Sequence, residues 1–424
     1  MPHTSNPDLT RQDRTRILRV LKRLVPERHI NVNNLNQDYS EWIALLDART
    51  PSLIAITEAG LFETEVNYLL ALLGSSHTAF FHQRRQSMPS PYSINATLTA
   101  VETSTGRRWM FADVIDGGVA HSAGIRPGEL LVAMDGRQIT VPDPVTFKMG
   151  SRHELELTTF SGNRRQLLLE VPDRTAKGRP PLIEPPAISH RLAAPGIGLI
   201  RVAYFPGAVG QTFARELSRV VSDLKDRDVK RLILDLRANI GGGLGVLRLL
   251  SYLCPGKKEV GYSLTRQRLR KGYAKEKLPR IDKIPTTKAQ LIKMAIRFRV
   301  FQRDRSLLLA TEGLGSQPFH GRIVVLVNEH THSAAEMVAS FARANMLAML
   351  VGTKTAGEVL GGANFKLPAG YVLRLPVAGW YTWEGECIEG KGVDPDVAAE
   401  NSPEKLAAGV DDQFDRALSV VQRL

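Results

Sequence analysis

Cysteine is nearly missing from this sequence. Cys254 and Cys387 stand far apart without a C-x-x-C partner, so neither a disulfide framework nor a zinc site is expected, and two buried or idle thiols fit best. No apolar run reaches the roughly 18 residues that a membrane-spanning helix needs. The first thirty residues, MPHTSNPDLTRQDRTRILRVLKRLVPERHI, hold no apolar leader core or small-residue cleavage site, so the chain reads as soluble, unexported and cytoplasmic. Internal repeats and low-complexity tracts are missing too. Neither G-x-x-x-x-G-K-[ST] nor G-x-G-x-x-G occurs, which argues against a nucleotide site. No cofactor and no metal are expected.

What is present is a chain of 424 residues, 43% of them hydrophobic. That is globular material for two or three domains. The net charge of +13 is concentrated: sixteen Lys and Arg stand against four acidic residues between Lys257 and Arg305, a local +12. This stretch reads as a basic insertion over 257–305, with Tyr262, Tyr273, Phe298 and Phe301 interspersed. A solvated helical face is the plainer account of it, and contact with an anionic partner (an acidic protein, a membrane surface or RNA) is the other. No specific nucleic-acid site is predicted.

The first ninety residues read as a helical segment. Ile17, Leu18, Val20, Leu21 and Leu24 recur at helical spacing, and Phe62 to Leu73 repeats the pattern until Gly74 stops it. Ser75, Ser76 and His77 then fall on the turn leaving a helix, where side chains can face a cleft. After SMPSPYS the pattern changes to short alternating strands over 91–172. There DGGVAHSAGIRPGELLVAMDGRQI gives a short helix at Val119 to Ala123, a glycine turn, and a strand Leu130 to Met134 ending in Asp135-Gly136. This passage resembles the PDZ fold, whose members bind an extended C-terminus along a sheet edge. The resemblance implies a carboxylate-binding loop at Ser93, Ile94, Asn95 and Ala96, although the usual glycines are missing there.

From 173 to 424 the alternation is that of an α/β layered core. The spacing predicts strands at Gly198 to Phe205, Arg231 to Leu236 and Arg322 to Val327, and helices at Gln211 to Leu224, Gly245 to Leu253 and Ser333 to Ala344. Two passages could carry chemistry. In VVLVNEHTHSAAEMVASFAR a strand runs through a polar turn into a helix that starts at Ser333, with small Ala334 and Ala335 leaving room for a ligand. Ser333 could equally be an ordinary N-cap, since S-x-x-E with Glu336 is also a capping box. In LILDLRANIGGGLG a buried strand passes into a triple-glycine turn, which is either structural or a cradle of N–H groups for an anion or oxyanion.

In order, DLRANIGG, SAAE, GTKTAG and GVDPD resemble the signature of the C-terminal processing, or tail-specific, serine peptidases, over about 190 to 400. The resemblance implies a multidomain α/β protein: an N-terminal helical segment, a PDZ-like domain and a layered crotonase/ClpP-like catalytic core. It also implies Ser333 as nucleophile, and Gly241 or Gly242 with the N–H of Ala334 as oxyanion hole. Many members place a lysine after T-x-G; here Glu358 stands there, and Lys354 does not fit the motif. The tricorn-core branch instead uses a histidine in a short S-H-[ST] motif and a glutamate before G-[VI]-x-P-D, which match Ser76-His77-Thr78 and Glu389. A histidine near pKa 6.5 suits a base at neutral pH, and His330 and His332 are rival bases. The expected function is serine endopeptidase action on polypeptides by Ser333, His77 and Glu389, with Ser76 as helper and the PDZ-like domain recruiting or gating substrate. An inactive peptidase fold serving as a PDZ scaffold, and a crotonase-like acyl-CoA enzyme, are the competing readings.

Overall fold

The strands Arg231–Asp235 and Ile323–Val327 are nearly continuous apolar runs because both of their faces are covered. In the computed structural model, which describes residues 9–35, 37–83, 87–173, 185–296, 306–315, 319 and 322–424, they lie at the centre of a six-stranded sheet. Its order is Ile188–Ala194, Ile197–Val202, Arg231–Asp235, Ile323–Val327, Met349–Gly352, Val397–Ala398. All pairings are parallel except the first, which is the usual setting for strands buried on both faces. Successive side chains alternate between two cores. Leu232, Leu234, Val325 and Val327 face the main core with helices Gln211–Asp226, Val246–Leu253 and Ala334–Ala344. Ile233, Val324 and Leu326 face Ala417 and Val421 of helix Asp412–Arg423.

A second six-stranded sheet closes the main core from the other side through Val260, Leu309 and Trp380. Its order is Ala79–His82, Tyr371–Thr382, Glu259–Thr265, Leu307–Ala310, Arg280–Ile281, with Gly361–Lys366 pairing on Tyr371–Thr382. Within the described part of the basic stretch 257–305, Glu259–Thr265 is an internal strand with Val260, Gly261, Tyr262 and Leu264 buried. Several of the stretch's charges are spent on neighbours, as in Lys257–Asp282 and Arg280–Glu259. Phe298 and Phe301 lie outside the described residues. The N-terminal helices pack onto this sheet as well. Helices Arg11–Arg28, Ser40–Ala55 and Ala59–Ala71 share a core with Phe80, Leu373 and Leu375, and Ala79–His82 pairs with Tyr371–Thr382.

The intervening domain is an antiparallel sheet, Ala96–Thr103, Gly106–Val114, Leu130–Met134, Arg152–Thr158, Arg164–Glu170. The short helix Val119–Ser122 and the Asp135-Gly136 turn stand where the sequence predicts them. Asp135 and Gly136 both take positive φ, at 53° and 77°, the geometry of a tight hairpin turn. Ser93, Ile94, Asn95 and Ala96, expected to form a carboxylate loop, are instead all buried. Asn95 Oδ1 accepts the N–H of Val119, and the Asn95 and Ile94 carbonyls accept those of Ile115 and Ala120. Asn95 and Ala96 wall a cavity of only about 30 Å³ against Ala203, Tyr204 and Ala238 of the core. The loop is thus packed between its own domain and the core. No helix among the described residues is long and apolar enough to cross a membrane.

Candidate active site

Ser333 sits where the central strand Ile323–Val327 has run out into a turn and helix Ala334–Ala344 begins. Its backbone is left-handed, φ 55°, ψ −118°, a conformation that costs a non-glycine residue about 1–3 kcal/mol. The surroundings hold it there. Glu336, fully buried, accepts the N–H of Ser333 at 3.1 Å through Oε2, the reach-back half of the expected capping box. It also accepts from Thr355 Oγ1, Gly357 N–H and Glu358 N–H at 2.6–2.8 Å. Burial raises its pKa, while these donors pull it down. Glu336 therefore ties the serine turn to the GTKTAG loop, a role that the capping-box motif alone does not reveal.

The glycine turn lies against the serine. A Cβ on Gly241 would fall 2.6 Å from the Cβ of Ser333, and one on Gly242 would fall 2.1 Å from the carbonyl oxygen of Phe205. Asn239, buried in DLRANIGG, locks the two turns together: its Oδ1 accepts Gly241 N–H and its carbonyl accepts His332 N–H, each at 2.8 Å. The N–H of Gly241 is thus committed, which removes it as an oxyanion donor and leaves it a packing role. The N–H groups of Gly242 and Ala334 have no hydrogen-bond partner among the described residues, and Gly242 lines the cavity that Ser333 faces.

That cavity, about 590 Å³, is also lined by His77, Glu358 and Arg374, with Ile240, Leu244, Leu307, Leu309 and Trp380 forming apolar wall. His77 follows helix Ala59–Ala71, whose end is closed by Gly74 at φ 62°, and His77 itself takes φ 59°. Its Nδ1 lies 2.8 Å from Ser76 Oγ. Glu389 does not bond to the ring. Its Oε1 accepts the Ser76 N–H at 3.1 Å and its Oε2 the Val359 N–H at 2.8 Å, so it clamps the backbone that presents the histidine. Burial, then the positive charge of Arg374, lowers the His77 pKa to about 4, with Glu358 opposing and His332 assisting. The sequence expectation is a histidine near 6.5; desolvation moves it down.

The rivals lie elsewhere. His330 Nε2 bonds Thr99 Oγ1 of the intervening domain at 2.8 Å, His332 Nδ1 stands 3.3 Å from Glu358 Oε2, and neither lines the cavity. Lys354 is more than half exposed beside Asp394. A residue that the motifs do not flag is His29, buried in the N-terminal core. It bonds Tyr39 Oη and Ser75 Oγ, each at 2.7 Å, and Ser75 Oγ in turn lies 3.0 Å from Thr78 Oγ1. It braces the His77 turn from behind.

Residues 196–399 match the model of peptidase family S41. The chain is 24% identical over 404 residues to tricorn protease homolog 2 of Streptomyces coelicolor, covering 91% of this chain and 30% of that protein. It is 26% identical over 295 residues to the carboxy-terminal processing protease CtpA of Bacillus subtilis, covering 68% and 52%. The chain thus spans about half or less of the length of these relatives. Among solved structures, a photosystem II D1 C-terminal processing protease matches 92% of this chain and 93% of its own, with a TM-score of 0.55 at 19% identity. The ordered motifs all fall inside the matched span, so residues 196–399 carry the peptidase family S41 match.

Proposed function

We propose that this chain is a serine endopeptidase acting on polypeptides, with Ser333 as nucleophile and His77 as general base. The observation that carries the reading is a single cavity lined by both Ser333 and His77, beside two backbone N–H groups that have no partner among the described residues. With Nδ1–H donating to Ser76 Oγ, Nε2 is free to accept the Ser333 proton as Oγ attacks the peptide carbonyl. The oxyanion is received by the N–H groups of Gly242 and Ala334, the latter at a helix N-terminus where the dipole adds to the hydrogen bond. His77 then passes its proton to the leaving amine, and water releases the acyl group by the reverse path. Glu389 and Ser76 are positioning residues: the first holds the turn, the second sets the tautomer.

In this reading the PDZ-like domain gates the site and does not recruit tails in its docked arrangement. Asn328 Nδ2 donates to its Asp113, and His330 meets its Thr99, so it grips the residues just ahead of Ser333. Ser333→Ala is expected to abolish hydrolysis of an unfolded model protein and labelling by a fluorophosphonate probe, with unchanged circular dichroism. Hydrolysis at wild-type rates by that variant would refute the assignment.

A further inference from the structure

We infer that Arg374 anchors a carboxylate of the peptide substrate, so that the site selects polypeptides with an acidic side chain or a chain terminus close to the scissile bond. This rests on the peptidase reading above. Arg374 pairs in register with Ala79, two residues after His77, on one side and with Asn364 on the other. The strand leaving the histidine and the strand carrying the arginine are therefore direct neighbours, and both side chains line the cavity of Ser333. The guanidinium lies over Gly362, where a Cβ would meet its Nε at 3.0 Å; the missing side chain makes room for it.

Several arginines of this protein pair with carboxylates, Arg237 with Asp235 and Asp411, Arg248 with Glu312 and Arg165 with Glu129, whereas Arg374 is a solvent-exposed residue on the cavity wall. The Arg374 guanidinium has no ion pair or hydrogen bond among the described residues. The acid of the cavity wall, Glu358, is turned to His332, with its N–H held by Glu336. The groups facing His77 are Arg374, Glu358 and His332, with Tyr92 on the cavity wall. Arg374 lowers the proton affinity of His77 more than Glu358 raises it, so the field at the base is net positive. A carboxylate bound to Arg374 cancels that field and eases formation of the imidazolium in the acyl-transfer step. Specificity and catalysis are then coupled through one side chain. A cavity of about 590 Å³ is roughly 10 Å across, and an extended peptide advances about 3.3 Å per residue, so the carboxylate falls within roughly three residues of the cleaved bond.

The test uses the full chain and quenched-fluorescence peptides that differ only at one position, Glu against Gln against Lys, scanned across the cleavage site, together with acid and amide C-termini. Wild type is expected to favour a carboxylate by about tenfold or more in kcat/KM. The Glu/Gln arm reports an acidic side chain and the acid/amide arm a terminus. Arg374→Gln should bring the preferred ratio close to one, and Arg374→Glu should shift preference to Lys. Equal rates for all wild-type pairs, or an undiminished preference in Arg374→Gln, would overturn the inference. Should wild type cleave nothing, the same peptides are titrated onto Ser333→Ala by fluorescence anisotropy. Tighter binding of the carboxylate forms, lost in the Ser333→Ala/Arg374→Gln double variant, would then keep the anchor and sink the peptidase reading, and equal binding would sink the anchor.

Discussion

Two turns with left-handed non-glycine residues meet at the cavity, and they are held in opposite ways. The Ser333 turn is held from within the catalytic core, by Glu336 three residues on and by the Asn239 loop. The His77 turn is held across the boundary between the N-terminal segment and the rest of the chain, by Glu389 at a separation of 313 residues, and from behind by His29 of its own segment. The nucleophile is thus part of the folding core, whereas the base is put in place by long-range closure of the N-terminal segment onto the second sheet. Damage to the first turn should cost stability along with activity, and damage to the second should cost activity first.

The largest effect is expected at Glu336. Removing a buried carboxylate that accepts four hydrogen bonds leaves its donors unpaired, so Glu336→Ala should lose about 3 kcal/mol or more of stability, read as a lowered urea midpoint, together with all activity. A near-wild-type midpoint would break the contrast between the turns. His77→Ala should lose about 10²- to 10⁴-fold in kcat with little change in that midpoint. Glu389→Gln turns one acceptor into a donor facing the Ser76 or Val359 N–H, and a loss of about tenfold to a hundredfold in kcat with KM nearly unchanged is expected. Glu389→Asp, which keeps two acceptors, should recover part of it.

Acid sensitivity sharpens the contrast further. His29 is fully buried and its pKa is lowered to about 4, by burial first and Arg266 second. The unfolded chain therefore binds a proton that the folded chain refuses, and stability falls as pH drops from about 6.5 to about 4. From this residue the loss is bounded at roughly 3 kcal/mol. His29→Gln should flatten the fall in Tm over that window, and an unchanged slope would remove His29 from the account. The smallest effect belongs to Lys354→Ala, exposed and outside the cavity, which should leave kcat within about twofold.

Much of this was readable in the sequence where structure is set locally. The apolar runs at Arg231–Asp235 and Ile323–Val327, the glycine turn and Ser333 all lie within a few residues of their motif signals. What escaped depends on partners distant in the chain. Glu389 is legible as a residue of the site, but that it grips the Ser76 backbone and not the imidazole follows only from tertiary closure. Choosing Gly242 over Gly241 depends on which N–H Asn239 consumes. At Ser93 to Ala96 the resemblance implies a loop, and its burial beside Ala203, Tyr204 and Ala238 follows only from tertiary packing. In the basic stretch, summed charge hides the apolar alternation of Val260, Tyr262 and Leu264.

The central claim is that His77 activates Ser333, and the rate of fluorophosphonate labelling against pH tests it most directly, over the range where circular dichroism is unchanged. A base must be neutral to accept a proton, so with the His77 pKa at about 4 wild-type labelling should rise through that pH and stay level to pH about 8. His77→Ala should be labelled about a hundredfold more slowly or worse, without that limb. Labelling of His77→Ala at the wild-type rate, or a wild-type rate still climbing toward pH 10 and abolished by Lys354→Ala, would contradict the account.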